Sequence, residues 1–397
     1  MKRAWSGVHP LFGLVKLSLQ LILLSATLLG SFAQAFQENA DPYNALIWNR
    51  KNALAQNGRI DRDDWYEWWY YKVVVPETDQ AYYFVYGVVN PWDTRSPNPA
   101  NESSRSYVGF GDFSAKVIGE NKFGTEAFSA AYDRTFIQVG DNTATDQEIS
   151  GAIEDTQVSA KWHLNLSRDW SFNAMGWGMF QNWVSNIYWY PAQASAAMTG
   201  WIETGKPGEP SRRIELDHAP AYQDRNWGRS FPKWWTWLVS NHFKNSPGTV
   251  LASGGGRPKI FNEVELISAV VVGLKHEGKE YSFRPNDGDK ISIDINYGKW
   301  EVVAENRNDE RIEISANAPK EAFLCLPFMT PQGQWFYDYE TLKGNIKVKL
   351  FKKKGWFNPT WVQIADLETD EGGIEYGSPQ EQSDGDASFF DRQLKLY

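Results

Sequence analysis

Apolar and polar residues alternate with a period of two along much of this sequence, and this alternation restricts the fold more than any other feature. Trp162–Leu166, Arg311–Ile314 and Asn345–Leu350 display it most clearly. Because successive side chains of a β-strand point to opposite faces, the pattern predicts strands with one buried face. Ala81–Val89 and Val264–Leu274 are more continuously apolar, which is typical of strands covered on both faces.

Turn-forming residues separate these runs. The clusters are Glu77–Asp79, Pro91–Pro99, Gly205–Pro210, Asn245–Gly248, Pro285–Asp289 and Asn306–Glu310. Turns at this spacing favour many short antiparallel strands, as in sandwiches and barrels. One short amphipathic helix is predicted at Asn44–Asn57, which Gly58 would end. The predicted fold class is therefore all-β with a short N-terminal helix.

Residues 1–35 predict an export signal. Lys2 and Arg3 precede the apolar run Leu17–Leu29, and Ala33-Gln34-Ala35 supplies a small-x-small cleavage site. A retained membrane anchor is the alternative, but an anchor needs about 20 apolar residues, more than this run offers. We therefore expect an exported protein (periplasmic, lumenal or secreted).

The part of the chain after the signal, residues 36–397, is longer than one barrel, so the sequence predicts two. The turn-rich segment Thr204–Arg212 is the candidate linker. It divides the chain into a first barrel at residues 36–208 and a second at residues 209–376. Residues 377–397 are mostly polar and predict a C-terminal tail.

Charge and cysteine content exclude several functional classes. The net charge is −9, whereas nucleic-acid binding needs a basic face, so no nucleic-acid partner is expected. Cys325 is the only cysteine and the histidines never occur at metal-ligand spacing, so neither a metal nor a cofactor is predicted. Ser253–Gly256 is similar to a phosphate-binding loop but lacks the lysine and helix that should follow it. A bulge or a tight barrel corner fits these four residues better.

Two aromatic clusters stand out in a chain with 20 tryptophans. They span Asp64–Lys72 and Ala221–Asn241, and the second places Asp224 between Tyr222 and Trp227. A carboxyl group among aromatic walls tends to have a raised pKa and can donate a proton, and aromatic faces stabilise a nearby cation. The other interpretation is that tryptophan fills barrel interiors and that Asp224 forms an ion pair. The residues alone leave both interpretations open.

These clusters are similar to motifs of the tocopherol cyclase family and, more distantly, of the carotenoid 1,2-hydratases. Tyr66–Lys72 matches the family's F-E-G-W-Y-F-K pattern, and Tyr222–Gly228 with the following Phe231-Pro232 matches Y-A-E-K-N-W-G-x-x-F-P. Further matches are Trp235, Trp237, Ser253–Arg257, Ala269–Gly278 and Gly344–Leu350. The resemblance covers residues 60–376 in the right order.

Departures from the family pattern concern the reaction. The plant cyclases have glutamate at the Asp224 position, whereas the hydratases have aspartate there, preceded by Tyr-His. Tyr222 and Asp224 match the hydratases, the surrounding segment matches the cyclases, and Gln223 matches neither. Both reactions begin by protonating a trisubstituted prenyl double bond. A phenol of the same molecule then traps the cation in the cyclases, and water traps it in the hydratases.

The resemblance implies two lipocalin-like antiparallel β-barrels and a cofactor-independent cyclase that closes a chromanol ring on a prenylated quinol. A barrel of about eight strands would hold the ligand in its mouth. Asp224 would donate the proton, oriented by Tyr222 and Asn226. The expected substrate-binding residues are Trp227, Trp235 and Trp237 around the cation, with Glu67 and Trp69 lining or supporting the cavity. The implied partner is a prenylated quinol or another isoprenoid lipid, reached through transient membrane association.

Three other functions remain open, and the first is a hydratase of an isoprenoid double bond, in which water traps the cation. The export signal and Gln223 favour a non-catalytic, lipocalin-like carrier of prenyl lipids. A carbohydrate-binding or carbohydrate-cleaving module would also use tryptophan platforms and carboxylates. Glycosidases need two facing acids, however, and Asp224 has no evident partner in the sequence.

Overall fold

Strands make up nearly all regular structure in the computed structural model. The residues it describes are 41, 43–48, 64–93, 103–179, 181, 184–260, 264–265, 268–355, 357, 359–382 and 394–395. The predicted signal peptide at 1–35 lies outside this part of the chain, as does most of the predicted tail at 377–397. Within the described residues no helix reaches seven residues. The short 3₁₀ helices are Pro76–Thr78, Thr125–Ala127, Gly176–Gly178, Pro285–Asp287 and Lys320–Ala322.

In the part of the chain that the structure describes, the first sheet has eleven antiparallel strands. They are β1 (Tyr66–Val75), β2 (Gln80–Val89), β3 (Arg105–Asp112), β4 (Val117–Phe123), β5 (Phe128–Ala130), β6 (Phe136–Val139), β7 (Asn142–Thr145), β8 (Glu148–Glu154), β9 (Ser159–Trp170), β10 (Ile187–Gly205) and β11 (Arg212–Gly228). Their order is β4-β3-β2-β1-β11-β10-β9-β8-β7-β6-β5. The sheet curls until the backbone N–H of Glu120 on β4 donates to Asp155, in the turn after β8, at 3.3 Å.

The second sheet also has eleven strands among the described residues. They are β12 (Trp235–Ser240), β13 (Val250–Gly256), β16 (Ala269–His276), β17 (Lys279–Phe283), β18 (Lys290–Asn296), β19 (Lys299–Glu305), β20 (Glu310–Asn317), β21 (Leu324–Met329), β22 (Trp335–Lys354), β23 (Thr360–Ser378) and β24 (Leu394–Lys395). A separate two-stranded ribbon joins β14 (Lys259–Ile260) to β15 (Val264–Glu265). The main order is β17-β16-β13-β12-β23-β22-β20-β19-β18-β24, with β21 beside β22. This sheet also curls, because β16 and β18 share one apolar cluster.

These sheets confirm the prediction of an all-β chain with two barrel-like sheets. The alternating runs lie in β9, β20 and β22, and Ala81–Val89 lies in β2. The apolar run Val264–Leu274 does not form one strand, since Val264–Glu265 is β15 and β16 begins only at Ala269.

The predicted N-terminal helix is wrong for the residues that the structure describes. Asn44–Trp48 forms turns and bends. The backbone N–H groups of Ile47 and Trp48 donate to the Glu67 carboxylate, and that of Leu46 donates to a carbonyl after β5. Because these N–H groups bind the first barrel, they are not free to bond the preceding turn of a helix. Residues 49–57 lie outside the described part of the chain.

The predicted linker between the two barrels lies inside the first barrel. Thr204–Arg212 contains the turn of the β10–β11 hairpin, and both of these strands belong to the first sheet. The chain crosses to the second sheet between Gly228 and Trp235. The Gly and Pro residues at the predicted boundary therefore reverse the chain inside one barrel instead of separating two.

Three apolar clusters are formed by the residues that the structure describes: one inside each curled sheet and one between the sheets. β1 illustrates how a single strand serves two clusters. Trp69 and Tyr71 point into the first barrel, whereas Tyr66 and Val74 belong to the cluster between the sheets. Since both faces of β1 are covered, its aromatic content reflects two different packing surfaces.

Candidate active site

A cavity of about 210 Å³ lies between the two sheets. Strands β1, β2, β3, β10 and β11 line it from the first sheet, and β12, β13, β16 and β21–β23 line it from the second. Both barrel interiors are filled by their own side chains. The expectation of a ligand in a barrel mouth is thus replaced by a site where the outer faces of two barrels meet. The aromatic walls include Trp68, Tyr70, Tyr83, Trp189, Trp235, Trp237 and Phe328.

Alternation along β11 brings three of the predicted site residues into one row. Tyr222, Asp224 and Asn226 are two residues apart, so they share a face, and Asp224 and Asn226 line the cavity. Trp235 and Trp237 on β12 line it from the opposite side. The structure therefore brings these five predicted residues together.

Asp224 is held by two hydrogen bonds to one of its oxygens. Tyr222 Oη and Trp189 Nε1 each donate to Oδ2 at 2.8 Å, and Trp237 Nε1 donates to Tyr222 Oη at 3.2 Å. The other oxygen, Oδ1, is buried without a hydrogen-bond partner. Sequence reasoning missed Trp189, which orients the carboxyl group in place of Asn226.

Burial controls the protonation of Asp224. The side chain is only 3% exposed, and burial raises its pKa to about 7, while the hydrogen bonds from Trp189 and Tyr222 partly offset that rise. Because Oδ2 already accepts two donors, the acidic proton belongs on Oδ1, the oxygen without a partner. Asp224 can thus carry a transferable proton near neutral pH.

Glu67, Trp69 and Trp227 do not line the cavity. They lie on the other faces of β1 and β11, directed away from Asp224. Glu67 forms an ion pair with Arg225, both side chains being fully buried. The Arg225 guanidinium lies over the rings of Trp69, at 5.3 Å, and Trp227, at 4.6 Å. These predicted site residues therefore form a polar and aromatic cluster around Arg225.

The Glu67–Arg225 cluster also binds the N-terminal segment. Glu67 accepts hydrogen bonds from the backbone of Ile47 and Trp48 and from Trp65 Nε1. Arg225 donates to the carbonyl of Tyr43 at 2.8 Å. The cluster thus fixes residues 43–48 against the first barrel, which is a structural role. Because Arg225 pairs with Glu67, Arg225 does not form an ion pair with Asp224.

Three further carboxyl groups line the cavity from the second sheet, and sequence reasoning missed all of them. They are Asp338 and Glu340 on β22 and Glu375 on β23. Glu340 and Glu375 are directly opposite in the strand register, where two negative charges would repel. Burial raises the pKa of Asp338 to about 8 and the pKa values of Glu340 and Glu375 well above their usual range.

Each of these acids has a defined polar contact. Tyr70 Oη donates to Glu340 Oε1, which joins the two sheets. Trp235 Nε1 donates to Asp338 Oδ1 at 3.0 Å, and the Asp338 and Glu375 carboxyl groups hydrogen-bond each other. The sequence contains a signal for Asp338 and Glu340. Acids alternate with aromatic residues in Trp335–Glu340, as they do in the two aromatic clusters Asp64–Lys72 and Ala221–Asn241. Glu375 has no such signal.

Lys72 is a buried base that interacts with the cavity acid Glu340. It is fully buried on the cavity-facing side of β1. Burial lowers its pKa to about 8, against the opposing pull of the Glu371 and Glu340 carboxyl groups. The cavity therefore holds more carboxyl groups than the neighbouring bases can neutralise, which favours the protonated acids.

The Ser253–Gly256 motif lies on β13 and lines the cavity through its glycines. A Cβ atom on Gly254 would be 3.0 Å from the Trp189 ring. A Cβ atom on Gly255 would be 2.0 Å from a backbone oxygen of β16. These glycines form a strand instead of the expected bulge or corner. Gly254 makes room for Trp189, and Gly255 makes room for the backbone of β16.

Neither a metal site nor a membrane-spanning helix is found where the structure describes the chain. No group of three or more His, Cys, Asp or Glu side chains there is placed to hold a metal ion. No helix there is long and apolar enough to cross a membrane.

Comparison with known proteins assigns the family. The profile of the family described as "Tocopherol cyclase-like" matches residues 102–378. The chain belongs to this family. Among curated relatives, "Probable tocopherol cyclase, chloroplastic" of Oryza sativa subsp. japonica is 28% identical over 341 residues, covering 73% of this chain and 70% of that one. "Tocopherol cyclase, chloroplastic" of Zea mays is 27% identical over 340 residues, with the same coverage.

Among solved structures, kievitone hydratase from Nectria haematococca aligns with a TM-score of 0.45 and 11% identity. The alignment covers 79% of this chain and 88% of that chain. A likeness this weak says nothing about the chemistry of a tocopherol cyclase-like protein.

The tocopherol cyclase-like motifs divide between the two faces of the same strands. In Tyr222–Gly228, Asp224 and Asn226 face the cavity, whereas Arg225 and Trp227 belong to the Glu67 cluster. In Tyr66–Lys72, Trp68 and Tyr70 line the cavity, whereas Glu67 and Trp69 do not. Each motif therefore combines cavity residues with residues that hold the barrel together.

Proposed function

We propose that this protein is a cyclase that closes a chromanol ring on a prenylated quinol by protonating the prenyl double bond. The observation that carries the proposal is the unpartnered, buried Oδ1 of Asp224 in an aromatic cavity. Membership of the tocopherol cyclase-like family and the names of the plant relatives support it.

The proposed reaction begins at Asp224. Its Oδ1–H bond breaks, the proton passes to the less substituted carbon of the double bond, and a tertiary cation forms. The faces of Trp189, Trp235 and Trp237 stabilise that cation by their quadrupoles. A phenolic oxygen of the same molecule then forms the C–O bond of the new ring. The product is an isomer of the substrate, so no oxidant or reductant is consumed.

The two hydrogen bonds to Asp224 Oδ2 contribute in two ways. They fix the direction of the carboxyl group, so that the proton on Oδ1 faces the cavity. They also stabilise the carboxylate that remains after proton transfer, because donors already aimed at the charged form need no reorganisation. Positioned acids contribute on the order of 10²–10⁴-fold to a rate, and the aromatic and dipolar surroundings must supply the rest.

The size of the cavity defines which part of the substrate it encloses. At about 210 Å³ it is smaller than pockets for drug-sized ligands, which span about 300–1,000 Å³. It accommodates the ring and the reacting double bond, while a long prenyl tail extends outside. An exposed tail is compatible with transient membrane association during substrate uptake.

Incubation with a reduced prenyl quinol in heavy water tests the function. A cyclase gives a chromanol with deuterium on the carbon next to the oxygen-bearing ring carbon. A hydratase gives an open-chain tertiary alcohol, and a non-catalytic carrier returns the ligand unlabelled. Mass spectrometry distinguishes the three products, and either of the last two results would contradict the proposal.

We also propose that the protein is exported with cleavage after Ala35. The support is the sequence of residues 1–35 alone: a basic start, an apolar run and the Ala33-Gln34-Ala35 site. N-terminal sequencing of the mature protein should begin at Phe36. Recovery of Met1 or Lys2 would contradict export.

A further inference from the structure

The second sheet places a pair of hydrogen-bonded acids on the cavity wall facing Asp224. Asp338 and Glu375 both line the cavity, and their carboxyl groups hydrogen-bond each other. Trp235 Nε1 donates to Asp338 at 3.0 Å, which fixes the pair in place. The cavity also contains the unpartnered Oδ1 of Asp224, a buried polar atom that points to a ligand there. Carboxyl groups of both sheets therefore line the same cavity.

Ring closure also needs a base for the phenolic proton, and this requirement rests on the function proposed above. The proton given by Asp224 becomes part of a C–H bond and stays in the product. When the phenolic oxygen attacks the cation, that oxygen still carries its own proton. The ring can form stably only if a base removes this proton, and that base is either the Asp224 carboxylate left by the first step or another group of the cavity.

We infer that the Asp338–Glu375 pair is the group that accepts the phenolic proton. In this step the oxygen lone pair forms the C–O bond, the O–H bond breaks, and the proton passes to the carboxylate of the pair. Asp224 is then ionised and the pair has gained one proton. Transfer of that proton to Asp224, through water that enters as the product leaves, restores both groups.

The chemistry of a hydrogen-bonded acid pair suits it to this role. Two carboxyl groups in contact cannot both ionise, so the pair shares one proton when it carries a single negative charge. Because the pKa values of Asp338 and Glu375 are raised above that of Asp224, the singly ionised pair is a stronger base than the Asp224 carboxylate, and the reacting form has the proton on Asp224 and the charge on the pair. That charge also stabilises a cation formed between the pair and Asp224. Glu340 and Cys325 face the pair from β22 and β21 and disfavour further ionisation.

Glu340 is the less suitable acceptor among the second-sheet acids. Its Oε1 is already bound by the hydroxyl group of Tyr70. Glu375 is directly opposite it in the register, so a charge on Glu340 would repel a charge on the pair. A protonated Glu340 leaves the single negative charge on Asp338 and Glu375.

Deuterium labelling separates the acceptor from the donor. The double variant Asp338→Asn/Glu375→Gln keeps two side chains that can hydrogen-bond each other but removes the base. In heavy water Asp224 should still deuterate the double bond, and the cation should then lose a proton back to Asp224. We expect ring closure to fall at least about 100-fold, while deuterium continues to appear on the alkene carbon of recovered quinol.

Three comparisons complete the experiment. Each single variant keeps one carboxyl group, so its rate of ring closure should fall about 10-fold while deuterium exchange is retained. If the double variant folds poorly, either single variant replaces it in the test. Glu368→Gln, an exposed glutamate on the same strand as Glu375, should behave as the unmodified protein. Asp224→Asn should lose ring closure and exchange together.

Two results would overturn the inference alone. One is normal ring closure by the double variant. The other is loss of exchange together with ring closure in that variant, which would make the pair a participant in double-bond protonation. Absence of chromanol from the unmodified protein would overturn the proposed function, and the inference with it.

Discussion

Tyr222 Oη donates a hydrogen bond to Asp224 Oδ2 at 2.8 Å, from two residues earlier on the same strand. The second donor to this oxygen, Trp189 Nε1, comes from the neighbouring strand β10. With Oδ2 fully engaged, Oδ1 is the oxygen that can exchange a proton with a ligand. Oδ2 therefore holds the carboxyl group in place, whereas Oδ1 is the atom that transfers the proton.

Replacing the proton donor should abolish turnover without weakening the fold. Asp224→Asn removes the transferable proton, so ring closure should fall at least about 100-fold, measured by chromanol formation. Asp224→Glu should retain part of the activity, limited by the misplaced acid. Asp217→Asn, at an exposed position on the same strand, is the control. Normal turnover by Asp224→Asn would exclude Asp224 as the donor.

The raised pKa of Asp224 also affects stability. Because burial raises this pKa from 3.8 to about 7, the folded protein binds more protons than the unfolded chain between these values, and its stability falls as pH rises through them. Asp224→Asn removes this contribution, so at pH 8 the variant should melt no lower than the unmodified protein. Early melting of the variant would indicate a buried ion pair at Asp224.

Tyr222→Phe should shift the pH dependence of turnover. Turnover requires protonated Asp224, so it should fall as pH rises through about 7. The Tyr222 hydrogen bond stabilises the carboxylate, and its loss should raise the pKa of Asp224 and move this decline upward by about one pH unit. Rates measured from pH 5 to 9 test the shift. An unchanged profile would mean that Tyr222 does not act on Asp224.

Glu67→Gln should destabilise the protein while leaving the cavity intact. The change leaves Arg225 buried without its partner, which costs about 3–5 kcal/mol, measured by denaturant unfolding. Turnover per folded molecule should change little, since Glu67 does not line the cavity. The double variant Glu67→Gln/Arg225→Met should regain much of the lost stability, because no buried charge is left unmatched. If Glu67→Gln lost turnover at normal stability, Glu67 would have a role in the active site.

Gly254→Ala should act on Asp224 through Trp189. The added methyl group would be 3.0 Å from the Trp189 ring, so the ring must shift and its hydrogen bond to Asp224 must weaken. We expect turnover to fall about 10-fold, since small displacements of a positioned group are costly, and the pKa of Asp224 to rise. Gly178→Ala, whose methyl group would meet Val184 at 3.6 Å, is the control. Equal effects of both changes would remove the link to Trp189.

The amino-acid sequence by itself determined the strands and the row of residues on β11. Alternation is a local property, so Arg311–Ile314 and Asn345–Leu350 identify strands without knowledge of their neighbours. The same rule places Tyr222, Asp224 and Asn226 on one face. The turn chemistry at Thr204–Arg212 is also local. It indicated a reversal of the chain, but not whether the reversal joined two strands or two domains.

Only the tertiary structure decided which face of each strand meets the ligand and which distant acids share the cavity. Both faces of β1 are covered, so its sequence cannot distinguish Glu67, which binds Arg225, from Tyr70, which lines the cavity. Trp235 and Asp338 are 103 residues apart, yet they are hydrogen-bonded. The physical reason is that the cavity lies between two curled sheets. Its residues are selected by how the sheets pack against each other, and no local pattern records that packing.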